Sequence, residues 1–149
     1  MNRFRFRLES VLRYRKAQEE AKKREFGVVL GHLKREESRL NRIADDINQH
    51  DDAQEQAGSG LTSVRRLMHH FHYSRFLERK KNEQIQTVKK AVQSVDDKRL
   101  ELVEATKKKK TLERLQERRY AEHLKEGLRE EQALIDEIAL HGMSSDRDA

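Results

Sequence analysis

The chain has no cysteine, no proline and no tryptophan, and aromatic residues make up only 5% of it. Without thiols it forms neither disulfides nor thiolate metal sites, which fits a reducing compartment. Without proline it lacks the commonest helix breaker. Its longest wholly nonpolar stretch, Gly27 to Gly31, falls far short of the ~20 residues that cross a bilayer. Met1 to Arg7 carries charge at alternate positions and leads into more charge, so no secretory apolar core is present and a cytoplasmic location is expected. Phosphate loops, HExxH, GxSxG and dinucleotide fingerprints are missing, and carboxylates are spread along the chain instead of converging. No catalytic residue, cofactor or metal is expected, because two helices do not enclose a water-excluded pocket.

What is present is charge. Charged residues make up 40% of the 149 and apolar ones 34%, too little to fill a thick core and enough for a narrow seam. Glu, Lys, Arg, Gln, Leu and Ala supply good helix formers. The net charge of +6 permits attraction to nucleic acid, anionic lipid or an acidic protein face. Acidic residues nearly match basic ones along the chain, so most of this charge reads as a solvated helix surface.

The apolar residues recur at coiled-coil spacing. Leu12, Phe26, Leu33, Leu40 and Ile47 lie on one line of sevens, with Leu8, Val29 and Ile43 three residues off it. Arg15, Glu19, Lys22 and Glu36 interrupt the line. Periodicity stops at His50-Asp51-Asp52, and Gly58-Ser59-Gly60 then offers the φ freedom of a tight reversal. Ser59, Thr62 or Ser63 can cap the next helix. A second pattern comprises Val64, Leu67, Phe71, Ile85, Val88, Val92, Val95 and Leu102, then drifts to Leu112, Leu115, Tyr120, Leu124, Leu128, Ile135 and Ile138. The drift predicts a stutter. The expected architecture is all-α: one antiparallel coiled-coil hairpin over residues 1–149, with helix 1 about 4–55, a turn about 56–61, a longer helix 2 about 62–141 and a flexible tail 142–149.

Folding the chain near residue 57 pairs residues whose numbers sum to about 114. Ile47 then meets Leu67, Ile43 meets Phe71, Val29 meets Ile85, Phe26 meets Val88 and Leu12 meets Leu102, while Leu33 against Lys81 and Glu36 against Glu78 predict a soft middle. Leu112, Leu115, Leu124, Leu128, Leu134, Ile135 and Ile138 are left without first-helix cover, and an uncovered stripe of that length implies another chain.

Shorter features weigh less. His69 and His72 share a face at metal-ligand spacing, yet surface imidazoles near a turn are the plainer account. Gly27-Val-Val-Leu-Gly31 is a GxxxG, which outside a membrane predicts close helix approach. Phe71, Tyr73 and Phe76 wrap around the helix, so at least one ring is expected to face a partner. Lys107 to Lys110 with Arg114, Arg118 and Arg119, brought beside Arg3, Arg5, Arg7 and Arg13, forms a basic girdle at the open end. It lacks the interleaved rings of a single-strand binder.

The opening Phe4-Arg-Phe6-Arg-Leu8-Glu-Ser-Val11-Leu12-Arg-Tyr-Arg, the Gly58-Ser-Gly60-Leu-Thr-Ser turn, the Lys108-Lys-Lys-Thr-Leu112-Glu-Arg-Leu115-Gln-Glu-Arg118-Arg119 segment and Asp136-Glu-Ile-Ala together resemble the flagellar export protein FliJ family. The resemblance covers nearly the whole chain. It implies an antiparallel coiled coil similar to the central stalk of rotary ATPases, acting without catalysis in the flagellar type III export apparatus. It implies partners too: the hexameric export ATPase FliI, the membrane export gate protein FlhA and, in some members, export chaperones. Location would be cytoplasmic, peripheral to the inner face of the cell membrane at the flagellar base. By position, Leu8, Val11, Leu12, Leu112, Leu115, Arg118 and Arg119 would face the ATPase, and Phe71, Tyr73 and Phe76 the gate. Arg42, Asp45 and Gln49 stand where some relatives have aromatic residues. The alternatives are the corresponding stalk of a virulence injectisome and a generic basic coiled-coil adaptor on nucleic acid or membrane.

Overall fold

The computed structural model describes residues 3–58 and 63–145, with the last four as backbone only. Two helices, α1 (Glu9–Ala57) and α2 (Val64–Ser145), pack against each other antiparallel, and α2 is the longer. Their packing falls into two units, residues 20–103 and the pair of segments 1–19 with 104–149.

In the unit of residues 20–103, the covered positions of α1 include Lys22, Phe26, Val29, Leu33, Glu36, Leu40, Ile43, Ile47, His50 and Gln54. Those of α2 are His70, Ser74, Leu77, Gln84, Val88, Ala91, Val95, Lys98 and Leu102. The α1 run keeps alternating steps of three and four, and the α2 run does so apart from one step of seven between Leu77 and Gln84, where Lys81 is exposed; this spacing holds a seam on one side of a supercoiled helix. Val64, Leu67, Phe71 and Val92, expected in that seam, are exposed instead.

The register differs from the expected one. Glu36 meets Gln84, Glu25 meets Lys98, Lys22 meets Glu101 and His50 stacks on His70. Facing numbers therefore sum to about 120 and above, and the pairing is displaced by roughly two turns. Leu12 with Leu102 and Ile43 with Phe71 are not partners. The cause lies at the reversal: α1 remains helical through Gln56 and Ala57, where a turn was expected. Gly58 comes next as a turn residue, its N–H reaching the Glu55 carbonyl at 3.4 Å. Ser63 caps α2, its carbonyl accepting from the Arg66 N–H at 2.9 Å and its Oγ lying 3.4 Å from the same nitrogen. The other candidate caps, Ser59 and Thr62, and Gly60 lie outside the described residues.

Polar residues that break the apolar line select this register. Buried Glu36 accepts from Gln84 Nε2 at 2.7 Å and from Arg39 at 2.8 Å, and the same Gln84 amide donates to the Glu36 carbonyl at 3.0 Å. A slip of one heptad would set Glu36 against Leu77 or Ala91, both buried and apolar, leaving a carboxylate without donors in the seam. The expected soft middle is thus a satisfied polar layer. Nearby, Lys22 and Lys98 alternate with Glu25 and Glu101 in a four-membered charge network with contacts of 2.7 to 3.2 Å.

The expected close approach at Gly27 and Gly31 does not occur. A Cβ at Gly27 would meet nothing within 4 Å, and at Gly31 only the Arg35 guanidinium at 3.7 Å.

In the other unit, Leu12 is 1% exposed. Glu19, also buried, accepts from Lys109 at 2.8 Å and from Thr106 at 2.9 Å. Gln116 donates to Glu9 at 3.1 Å. Covered α2 positions here include Ala105, Lys109, Leu112, Leu115, Gln116, His123 and Gly127, while Arg119 and Tyr120, between Gln116 and His123, are exposed, so the alternation of three and four lapses after Gln116. Helix α1 opens at Glu9 and not near Phe4, because residues 3–6 are non-helical and the Glu9 N–H closes onto the Phe6 carbonyl at 3.2 Å. Helix α2 runs to Ser145 and so passes the expected stop at Gly142; one glycine costs an α-helix only about 1 kcal/mol.

Candidate functional site

The segment before α1 alternates. Phe4 and Phe6 are half-covered while Arg3, Arg5 and Arg7 are exposed, the two-residue period of an extended chain. The Phe4 ring meets Tyr120 edge-on at 5.3 Å between centroids and His123 at 5.6 Å. This arm and α2 enclose a groove of about 790 Å³, lined by the arm, Leu8, Leu115, Arg119, Glu122, His123 and Glu126.

Here lie the residues expected to face an ATPase. Leu8 and Val11 are partly exposed at 38% and 39%, but Leu12 is enclosed by the seam and offers no outward surface. Leu112 and Leu115 are half-covered. Their expected freedom from cover is therefore corrected: the displaced register and the extended arm bring N-terminal residues over this part of α2. Arg118 and Arg119 are exposed and both contact Glu122, at 3.1 and 3.2 Å. The basic girdle is partly neutralised in the same way, with Lys107 on Glu104 and Lys109 on Glu19.

Farther along α2, Leu128, Leu134, Ile135, Ile138 and Leu140 are all exposed, none below 59%. They belong to a stretch that also carries Glu130, Glu131, Asp136 and Glu137 against Arg129. Its surface is apolar and acidic.

The second candidate surface is at the start of α2, in the unit of residues 20–103. Phe71, Tyr73 and Phe76 are exposed at 56%, 47% and 46%. The structure does not gather them into one patch. Tyr73 and Phe76 stack at 6.2 Å, and Tyr73 meets His50 edge-on at 4.7 Å, while Phe71 sits with Arg75 over its face at 5.6 Å. His50 is stacked on His70 at 4.2 Å, a pairing that the apolar pattern did not predict. His50 falls seven residues after Ile43, and that spacing was the available signal. His69 and His72 are exposed and far from forming a cage; among the described residues no group of three or more His, Cys, Asp or Glu could hold a metal ion.

Two antiparallel helices with apolar side chains left exposed outside their shared seam define a coiled-coil protein that presents surfaces to other molecules. No helix among the described residues is long and apolar enough to cross a membrane. The sequence matches the family model described as Flagellar FliJ protein over residues 4–147, and the chain belongs to that family. Its members are structural components of the flagellar export apparatus. No curated protein and no solved structure matches the chain.

Proposed function

We propose that this chain links the hexameric export ATPase FliI to the export gate protein FlhA, assisting export of flagellar subunits, with export chaperones as further partners. It acts without catalysing a reaction, in the cytoplasm and peripheral to the inner face of the cell membrane. The observation that carries this reading is the exposed stripe of Leu128, Leu134, Ile135 and Ile138. Apolar side chains that stand in water at helical spacing are stabilised when another molecule covers them. Leu8, Val11, Leu112, Leu115, Arg118 and Arg119, beside the N-terminal arm, are the further residues proposed to meet the ATPase, and Phe71, Tyr73 and Phe76 those proposed to meet the gate. Preference for one rotational state of the ring would then bias the ATP cycle through differential binding.

The test is capture of the cognate export ATPase by the full chain, by a chain ending at Gly127 and by Ile135→Asp/Ile138→Asp. The truncation spares Leu112 and Leu115, which are covered by the N-terminal segment. Full-length capture with loss in both variants is expected, together with a change in ATPase activity on adding the full chain. Equal capture by all three, or unchanged activity, would remove the proposal.

A further inference from the structure

We propose that the first turns of α2 lie on an anionic lipid surface, which their own chemistry recognises without any protein receptor. Val64, Leu67, Met68 and Phe71 are each more than half exposed and stand at i, i+3, i+4 and i+7, one continuous face of a helix. Arg65, Arg75 and Arg79 are exposed beside that face, Arg66 and Lys80 are exposed elsewhere on the same turns, and Glu78 is the lone acid of this segment. Among the described residues none of these cations has an ion-pair partner; Arg75 and Lys80 instead lie over the rings of Phe71 and Phe76 at 5.6 Å.

An apolar stripe beside uncommitted cations is the pattern of a helix that lies in the headgroup layer, its aliphatic and aromatic groups in the acyl boundary and its cations on phosphates. Long Arg and Lys stems reach those phosphates from the edge of the stripe. The surface is convex and single-helical, and its charge is diffuse. That suits a deformable anionic layer better than a rigid groove with fixed acceptors.

The neighbouring helix orients the contact. Asp45 and Asp52 on α1 stand two residues from the covered positions Ile43, Ile47, His50 and Gln54, on the side of α1 turned away from α2. Asp46, Asp51 and Glu55 also belong to this stretch of α1. An anionic surface therefore attracts α2 and repels α1, so that only one side of the pair settles on it.

The test uses the full chain and protein-free vesicles in a flotation assay. It compares phosphatidylethanolamine containing about 30 mol% phosphatidylglycerol with phosphatidylcholine alone. Flotation with the anionic vesicles only is expected, about tenfold weaker when salt rises from about 0.1 to 0.5 M. Val64→Ser/Phe71→Ser and Arg65→Glu/Arg79→Glu should each abolish it, while Leu134→Ser/Ile138→Ser, equally apolar but elsewhere, should leave it intact. Circular dichroism checks folding; if the serine pair loses helicity, the charge-reversal pair decides. The proposal is overturned by equal flotation with neutral vesicles, by none with either, by unchanged binding in the charge-reversal pair, or by equal loss in the Leu134/Ile138 variant. Binding of an acidic protein through these residues with no affinity for vesicles would also overturn it. Because the vesicles hold no gate protein, this outcome is separate from whether the chain binds FlhA.

Discussion

Leu12 is the most completely enclosed large side chain described, and a two-helix seam has few such residues among which to spread a loss. Leu12→Ala removes buried methyl groups and leaves a cavity that helices pinned by neighbouring polar layers close only in part. A loss of about 2 to 5 kcal/mol is expected, measured by urea unfolding followed at 222 nm. Charged residues at covered positions act through pH. Hydrogen bonds from Lys98 and Lys22 hold the Glu25 carboxyl below its ordinary value, Lys22 and Lys98 do the same for Glu101, and Gln84 followed by Arg39 for Glu36. Each carboxylate thus contributes stability above its ordinary value of 4.5 that is lost as pH falls through the lowered value. Lys22 and Lys98 are raised, chiefly by Glu101 and Glu25 respectively. Their contribution is complete below 10.5 and fades as pH climbs beyond it. The midpoint of thermal unfolding should therefore be flat across neutral pH, fall below about 4.5 and fall again above about 10.5. Lys98→Met should flatten the alkaline limb, and an unchanged alkaline limb would argue against the network.

At the scale of elements, the register is the feature most open to test. Cysteines replacing His50 and His70, whose rings stack at 4.2 Å, should cross-link readily under mild oxidation, whereas Ile43→Cys with Phe71→Cys should not, since Phe71 faces away from the seam. The reverse result would restore the pairing near residue 57. Gly27 gives an independent check of α1. It sits in mid-helix with open space at its Cβ position, so Gly27→Ala gains helix propensity and meets no obstacle. A gain of about 0.5 to 1 kcal/mol is expected in the same urea titration. A loss would show that the glycine permits a close contact after all.

For the molecule as a whole, the proposed function rests on surface that the pair of helices leaves open. The residues after Gly127 have exposed side chains wherever these are described, so ending the chain there should leave the unfolding free energy from urea titration within about 0.5 kcal/mol of the full chain while removing ATPase capture. A large loss of stability would mean that the stripe is already covered within the chain. The family assignment makes the chain a component of the flagellar export apparatus, and the exposed stripes are the surface on which the proposed contacts would be made.

The all-helical class, the number of helices, the greater length of the second and the family were legible from residues alone. Absent proline, abundant helix formers, the glycine-marked reversal and repeated steps of three and four are local properties, and a chain carries them wherever it folds. The non-helical start was also written there, in the alternation of Phe4, Arg5, Phe6 and Arg7, although the helical pattern beyond it was extended over the segment. What only tertiary structure decided is which residues meet. A heptad pattern looks alike after a slip of seven, so apolar spacing leaves several registers nearly degenerate. The choice fell to Glu19, Lys22 and Glu36, residues that looked like interruptions until their partners on the other helix were known. Burial of Leu12, cover over Leu112 and Leu115 and exposure of Val64, Leu67 and Phe71 all result from that choice, because in two packed helices the face turned inward is set by the pairing and not by either helix alone.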